Sequence, residues 1–488
     1  MRFAGWLMAA ALLASTTPSA VGASTPLLEP SHFALDNGMT FLVVERPGRP
    51  LVAAVWAVRS GSAADPPGQR GLAHVVEHLL YAGSRTIGTR DWATEAPLLA
   101  RWERLYEQSV RRGRAAAGLE RLERRLLELQ RPGAYAGVYT RAGVLGVDAL
   151  TGHDATFFQT LVPKEKIELW FWMESDRLLE PVFRGFRREL AVVEQERRQR
   201  IDSSPAGTWF ELFDAAYWGA GHPYAHSPGG ERFEVAGLLP ADARRHFAAF
   251  YRPDRLVAVL VGDLSPGRAR QLAERYFGRL GRVGGRDGEV GKLPEPQQPE
   301  LGSLDGHCAC RSQVEIRYPT VPFAAGDDAI ALDVLAGLLN SRSGRLHREL
   351  VVGQGRVAWA ASAEHVSRRL GGYFSVRIEA GEGVELEELE AAWDRLLAKL
   401  RRGGVDDAEL GRVHRQLVTD SWRQVEQDAG LAQRLAAAEV LGGWRQLKEW
   451  LHAAGEVNGA DLRRVIDRYF LAAERAVLAL TRSGTADQ

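Results

Sequence analysis

Apolar and polar residues alternate on both sides of Asp36-Asn37-Gly38 in "FALDNGMTFLVVERPGRPLVAAVWAV", and two such runs about this turn predict a β-hairpin. Val52, Val55 and Trp56 carry the pattern into a buried strand that ends at Gly61, and a helix is predicted from Leu72 to about Tyr81. Between residues 95 and 135 the period changes. Leu98, Leu99, Trp102, Leu105 and Tyr106, then Leu119, Leu122, Leu126 and Leu127, recur at helical spacing around the break "RRGRAAAG", with Arg and Glu on the other faces. This segment reads as an antiparallel helical hairpin, a packing arm without chemistry of its own.

Residues 281–300, "GRVGGRDGEVGKLPEPQQPE", are rich in Gly, Pro and charge and lack apolar periodicity, which marks an interdomain linker. The halves on either side look related. "RRHFAAFYRPDRLVAVLV" from Arg244 matches "RRVIDRYFLAAERAVLAL" from Arg463, with helix, aromatic pair, turn and apolar strand in the same order. A chain of 488 residues exceeds what one core supports, so two domains of roughly 220 residues, each mixing strands and helices, are expected. Regular βαβ alternation and a glycine-rich loop after a strand are both missing, which disfavours a nucleotide-binding fold.

Composition narrows the class. Apolar content of 45% and charged content of 25% are those of a globular protein and exclude disorder and fibre. Acidic and basic residues balance at 62 each, and no basic stripe with interleaved aromatics suggests a nucleic-acid partner. The start, "MRFAGWLMAAALLASTTPSAVGAS", reads as a signal peptide over residues 1–23. Its apolar run from Phe3 to Ala14 falls short of the ~20 residues a membrane span needs. Cleavage would remove Arg2 and leave a formal charge of −1, and no later stretch is long and apolar enough to span. An exported protein, periplasmic or secreted, is expected. The only cysteines, Cys308 and Cys310, cannot build a disulfide framework; they either bridge locally or stay as thiols, with too few neighbouring ligands for zinc.

The chemistry concentrates in "GLAHVVEHLLYAG", residues 71–83. On a helix, His74 and His78 lie one turn apart on one face and can aim two ring nitrogens at one point, with Glu77 beside it. Neutral imidazoles suit Zn²⁺, and a carboxylate beside the open position can take a proton from water and hand it to a leaving amine. A chain with 12 histidines and 62 acidic residues meets H-x-x-E-H by chance only about 0.04 times. A third ligand is needed, and "RRELAVVEQERRQR" offers Glu189, Glu194 and Glu196 on a helix with Leu190 and Val193 inward. Glu189 and Glu196 share a face, whereas Glu194 lies about 140° round from Glu189. The residues alone leave the choice open against a solvated, arginine-rich face. His222 and His226 sit in the Gly- and Pro-containing loop "GHPYAHSPGG", so their rings have no helical reason to converge, and His153 suits a surface or hydrogen-bonded role.

The order of His74, Glu77 and His78 resembles that of the inverzincins, the pitrilysin, insulysin and mitochondrial processing peptidase family. "GVDALTGHDATFFQTLVP", "ELWFWMESDRLLEPVF", "ELAVVEQERR", "FYRPDRLVAVLVGDL" and "LLNSRSGRLHRELV" extend the resemblance over nearly the whole chain after residue 23. It implies an α+β fold of two homologous domains, each a mainly antiparallel sheet flanked by helices. The first, residues 28–280, is the catalytic metallopeptidase domain with the hairpin inserted at 95–135, and the second, 301–484, is an inactive repeat. It also implies one Zn²⁺ per chain held by His74, His78 and Glu196, with Glu77 as general base and Glu189 supporting the site. Asp148 and Ala149 fall where the family contacts substrate backbone. The implied activity is zinc-dependent endopeptidase cleavage of peptides or unfolded segments, bound in extended form between the two domains.

Three departures from the family stand out. Glu196 follows His78 by 118 positions, longer than usual by about the length of the hairpin, and loop length costs little free energy. Asp148 stands where the family commonly has Asn. The Arg and Tyr seven apart that hold the scissile carbonyl in active partners are replaced by Val351 and Ala358, with Arg345, Arg348 and Arg356 nearby. A paralogous subunit, or a second copy in a homodimer, is therefore expected to supply the pair. The alternative is a non-catalytic core subunit of the same family that binds peptide or partner.

Overall fold

The computed structural model describes residues 29–281, 298–323, 326–340, 344–353 and 355–483; the expected signal peptide and most of the expected linker lie outside them. The first half runs β1 (Ser31–Ala34), β2 (Thr40–Glu45), β3 (Leu51–Val58), α1 (Leu72–Leu79), α2 (Trp92–Arg112), α3 (Leu119–Leu129), α4 (Ala134–Arg141), β4 (Leu145–Thr151) and β5 (Thr156–Pro163). It continues through α5 (Ile167–Leu179), α6 (Phe186–Arg197), α7 (Gly207–Trp218), α8 (Arg232–Gly237), α9 (Pro240–Phe250), β6 (Leu256–Gly262) and α10 (Pro266–Tyr276). The second half runs β7 (Leu304–Cys308), β8 (Gln313–Thr320), α11 (Asp327–Asn340), β9 (Ala358–Ser367), β10 (Gly372–Ala380) and α12 (Leu386–Gly403). It closes with α13 (Asp407–Glu426), α14 (Asp428–Leu441), α15 (Arg445–Ala453), α16 (Gly459–Tyr469) and β11 (Ala476–Arg482).

Two mixed sheets result, in the orders β1-β2-β6-β3-β5-β4 and β7-β11-β8-β10-β9. Each contains one parallel pair, β2 with β6 and β7 with β11, and is otherwise antiparallel. The sequence pair at 244–261 and 463–480 occupies equivalent places, α9 into β6 and α16 into β11. The DNG hairpin is the β1–β2 turn, with Phe33 opposite Phe41.

Both faces of the first sheet are buried, by different halves of the chain. Phe41, Val43, Ala54, Trp56 and Leu260 pack on one side with α1, α5 and α10. Leu42, Val44, Ala53, Val55 and Val259 point the other way, onto Leu431, Ala432, Leu435 and Ala436 of α14. A strand buried on both faces reads as an unbroken apolar run, which is why "LVAAVWAV" and "LVAVLV" carry so few polar residues. Burial is worth about 1.5–3 kcal/mol for each leucine that α14 inserts. The exchange is reciprocal. Phe213, Tyr217 and Trp218 of α7 cover the second sheet against Tyr373, Leu478 and Leu480.

The hairpin helices α2 and α3 lie within the expected insertion, although α2 starts three residues before residue 95 because Asp91 caps it, accepting from the Thr94 N–H. β4 is the outer strand at the end of the first sheet away from β1, and α1 lies against it and α6.

Candidate metal centre

α1 is buried on nearly every side, with Leu72, Ala73, Val75, Val76 and Leu79 in the core. Polar side chains on such a helix need partners, and His74 and Glu77 are only 9% and 6% exposed. The start of α1 is fixed from outside: the Asp65 carboxylate accepts from the Gly71 and Ala73 N–H groups at 2.8 and 2.9 Å, satisfying two of the helix's free donors. Gly71 has φ 92°, and a Cβ there would come within 2.8 Å of Val235, so glycine is required.

The four-residue spacing brings the Nε2 atoms of His74 and His78 to 3.2 Å. A tetrahedral ion about 2.0–2.1 Å from each nitrogen needs a separation of about 3.3 Å. α6 then sets Glu196 beside both rings, its carboxylate oxygens 3.8 Å from each Nε2. Glu189, two turns earlier, lies 3.7 Å from Nδ1 of His78, where a carboxylate orients a metal-binding imidazole. Two imidazoles and a carboxylate make a donor set that suits zinc. The ligand atoms of His74, Glu77 and His78 lie within 4.8 Å of one another, the one such group of three among the described residues. Glu194, on the other face of α6, turns to Arg232 and Arg198 at 2.9 and 3.2 Å.

Burial pushes His74 down to about 3, helped by His78 and Arg200, which keeps its ring neutral and able to ligate. Burial also works against a charged His78, but Glu189, Glu77 and Glu196 outweigh it and raise that group. Glu77 is pushed up to about 7 by burial, with Glu196 and Asp148 adding to the rise and a hydrogen bond from Thr151 opposing it. Glu189 is held below the usual carboxylate range: burial would raise it, but His78 and Arg188 prevail.

The Thr151 hydroxyl donates to Glu77 Oε2 at 2.5 Å and contacts Thr156 Oγ1 at 3.1 Å. Sequence reading missed both Thr151 and Asp65. An acidic residue ahead of a helix is a weak capping signal, whereas nothing local ties Thr151 to a glutamate 74 positions earlier. Asp148 and Ala149 lie on the same strand, half-buried, and Gln159 donates to Asp148 at 3.3 Å.

The other histidines are placed differently. His222 accepts from the Tyr224 N–H at 2.9 Å and stacks on Trp218, while His153 meets the carbonyl of His226 at 3.1 Å. Cys308 and Cys310 are joined in a disulfide. In the second half, Val351 precedes β9 and Ala358 opens it; Arg345 and Arg348 both bind Glu409, and Arg356 is exposed.

Residues 239–417 match the family described as the Peptidase M16 inactive domain. Over 468 residues the chain is 23% identical to the zinc protease PqqE of Helicobacter pylori, covering 94% of each. Among solved structures, a protease from Helicobacter pylori superposes with TM-score 0.76 at 20% identity over 93% of this chain and all of that one. The periplasmic protease PqqL of Escherichia coli gives 0.66 at 16% identity, over 93% of this chain and 47% of its own.

Proposed function

We propose that this chain, a member of the pitrilysin-type M16 peptidase family, is a zinc-dependent endopeptidase acting on peptides or unfolded segments. One observation carries the reading: two helices far apart in sequence bring His74, His78 and Glu196 to within 3.8 Å of one another, with Glu77 beside them. His74, His78 and Glu196 would hold one Zn²⁺, and Glu189 would orient His78. The chemistry a bound zinc ion supplies there is Lewis acidity, which polarises a carbonyl and acidifies water.

The chain's own residues do the rest. Glu77, buried and held by Thr151, takes the proton of the attacking water and returns it to the departing amine, so that both transfers use one carboxylate. The free edge of β4 suits an extended peptide added as a further strand, with Asp148 and Ala149 along it. Residues 28–280 then form the catalytic domain, 281–300 the linker and 301–484 the inactive repeat.

Two features bear on assembly and location. Arg345 and Arg348 are engaged by Glu409, so the missing Arg and Tyr pair falls to a paralogous subunit or a second copy. The same absence, with the inactive-domain match, supports the second reading, a non-catalytic core subunit. Export to the periplasm or beyond accords with the Cys308–Cys310 bridge and with the periplasmic relative. No helix among the described residues is long and apolar enough to cross a membrane.

The test is hydrolysis of an unstructured peptide by the full chain, alone and with its paralogue, alongside Glu77→Gln. The variant is expected to keep its zinc and lose activity by a factor of at least about 10². Unchanged turnover would overturn the peptidase reading, and a wild-type chain that binds zinc without cleaving peptide in either setting would favour the core subunit.

A further inference from the structure

We propose that the helical hairpin of α2 and α3 sets the position of the two ligand-bearing helices relative to each other, through a buried clamp made by Glu95 and Arg184. The role assigned to zinc rests on the reading above; the clamp itself does not.

The observations converge on Arg184. It stands two residues before Phe186, where α6 starts, and is 3% exposed. Its Nε and Nη2 donate to the two oxygens of the Glu95 carboxylate at 2.7 and 3.1 Å. Its Nη1 donates to the carbonyls of Ile87 and Ala82 at 3.2 and 3.4 Å, in the segment by which the chain leaves α1. One side chain therefore ties the exit of α1, the entry of α6 and the first turn of the hairpin. Gly185 follows with φ 64°, a conformation that lets the chain turn directly from Arg184 into α6.

The hairpin closes on the same point from both of its ends. Glu95 lies at its entry and is fully buried; Gln130, at its exit, donates to Glu95 Oε1 at 3.0 Å. The end of α3 and the residues after it are stitched to the segment between α1 and α2 by Arg90 N–H to Leu129 O at 2.7 Å and Arg131 N–H to Gly88 O at 2.9 Å. A planar guanidinium held on both sides in a dry site fixes direction as well as distance. The clamp borders the site directly. A cavity of about 210 Å³ is lined by Arg184 and Gln130 together with His78 and Glu189. The Val182 N–H to Gly83 O bond at 3.1 Å joins the same two segments, and the separations of 3.7 to 3.8 Å between the imidazoles and the α6 glutamates depend on the angle that this bond and the clamp set together. Glu95 and Arg184 touch neither the reacting atoms nor the ligand atoms, so they are positioning residues.

The test replaces both charges together, Glu95→Leu with Arg184→Leu, so that no buried charge is left unpaired. A control does the same to Arg46 and Asp428, a pair between the two halves. Two quantities are read on the full chain: amide exchange along α6 in metal-free protein, and zinc affinity by competition with a chelator. The clamp variant is expected to exchange at least about tenfold faster over residues 186–197 while β3 and β6 keep their protection, and to bind zinc about 10- to 100-fold more weakly. Glu95→Asp with Arg184 intact is expected to recover much of both. Wild-type exchange over α6 in the double variant overturns the clamp. A wild-type chain that binds no zinc, with α6 exchange still released in the variant, sinks the metal reading and supports the clamp as the device that fixes α6.

Discussion

At the scale of single residues, the centre depends on contacts of very different legibility. His74, Glu77 and His78 announce themselves because i and i+4 on a helix must face one way. The division among the α6 glutamates was legible as geometry: Glu189 and Glu196 share a face, and it is these two that lie near the imidazoles while Glu194 binds Arg232. Thr151 was not legible, because a strand residue reaches Glu77 only through the packing of β4 against α1. Its hydroxyl holds the carboxylate proposed above to move the proton. Thr151→Val is expected to keep its zinc and to hydrolyse peptide about tenfold more slowly, with Thr151→Ser restoring most of the rate. Parallel measurements of zinc content and initial rate check this, and a wild-type rate in the Val variant would count against the role.

At the scale of elements, periodicity revealed which segments are helices and strands but not which surfaces they cover. β3 and β6 read as buried because both faces are apolar, yet one cover is α14, about 170 residues or more beyond either strand. No local pattern carries that information. The reverse loan, α7 onto the second sheet, also rests on charge. Glu315 lies between Arg317 and Arg377 at 2.7 and 2.6 Å, and Arg317 reaches Asp214 of α7 and stacks on Phe213 and Tyr373. Burial would raise the Glu315 pKa, but the two arginines hold it below the usual carboxylate range. A carboxyl lowered in the fold contributes stability above its unfolded pKa, about 4.3, and loses that contribution as pH falls through the folded value. Glu315→Gln is therefore expected to cost about 3 kcal/mol at pH 7 and to narrow its gap from wild type as pH drops below about 4.3. Urea melts at pH 7, 5 and 4 test this; a gap that stays constant contradicts it.

At the scale of the whole molecule, the repeat was legible in "RRHFAAFYRPDRLVAVLV" and "RRVIDRYFLAAERAVLAL", and β7-β11-β8-β10-β9 repeats the order and the single parallel pair of β2-β6-β3-β5-β4, with β1 added at the edge of the first sheet. The H-x-x-E-H order occurs in the first copy alone, whereas α11, which follows β8, has Asp333, Ala336 and Gly337 at the same spacing. The hairpin read as a passive arm because Glu95 and Arg184 look like any two of its many charged neighbours until the fold buries them together. In the function proposed above, α1 and α6 jointly make one zinc site. Zinc titration of the full chain by chelator competition tests it most directly, with Glu196→Ala compared against Glu194→Ala from the same helix. One saturable zinc per chain is expected, with an affinity at least about tenfold weaker for Glu196→Ala and unchanged for Glu194→Ala. No saturable zinc in the wild-type chain, or equal affinities for the two variants, would contradict it.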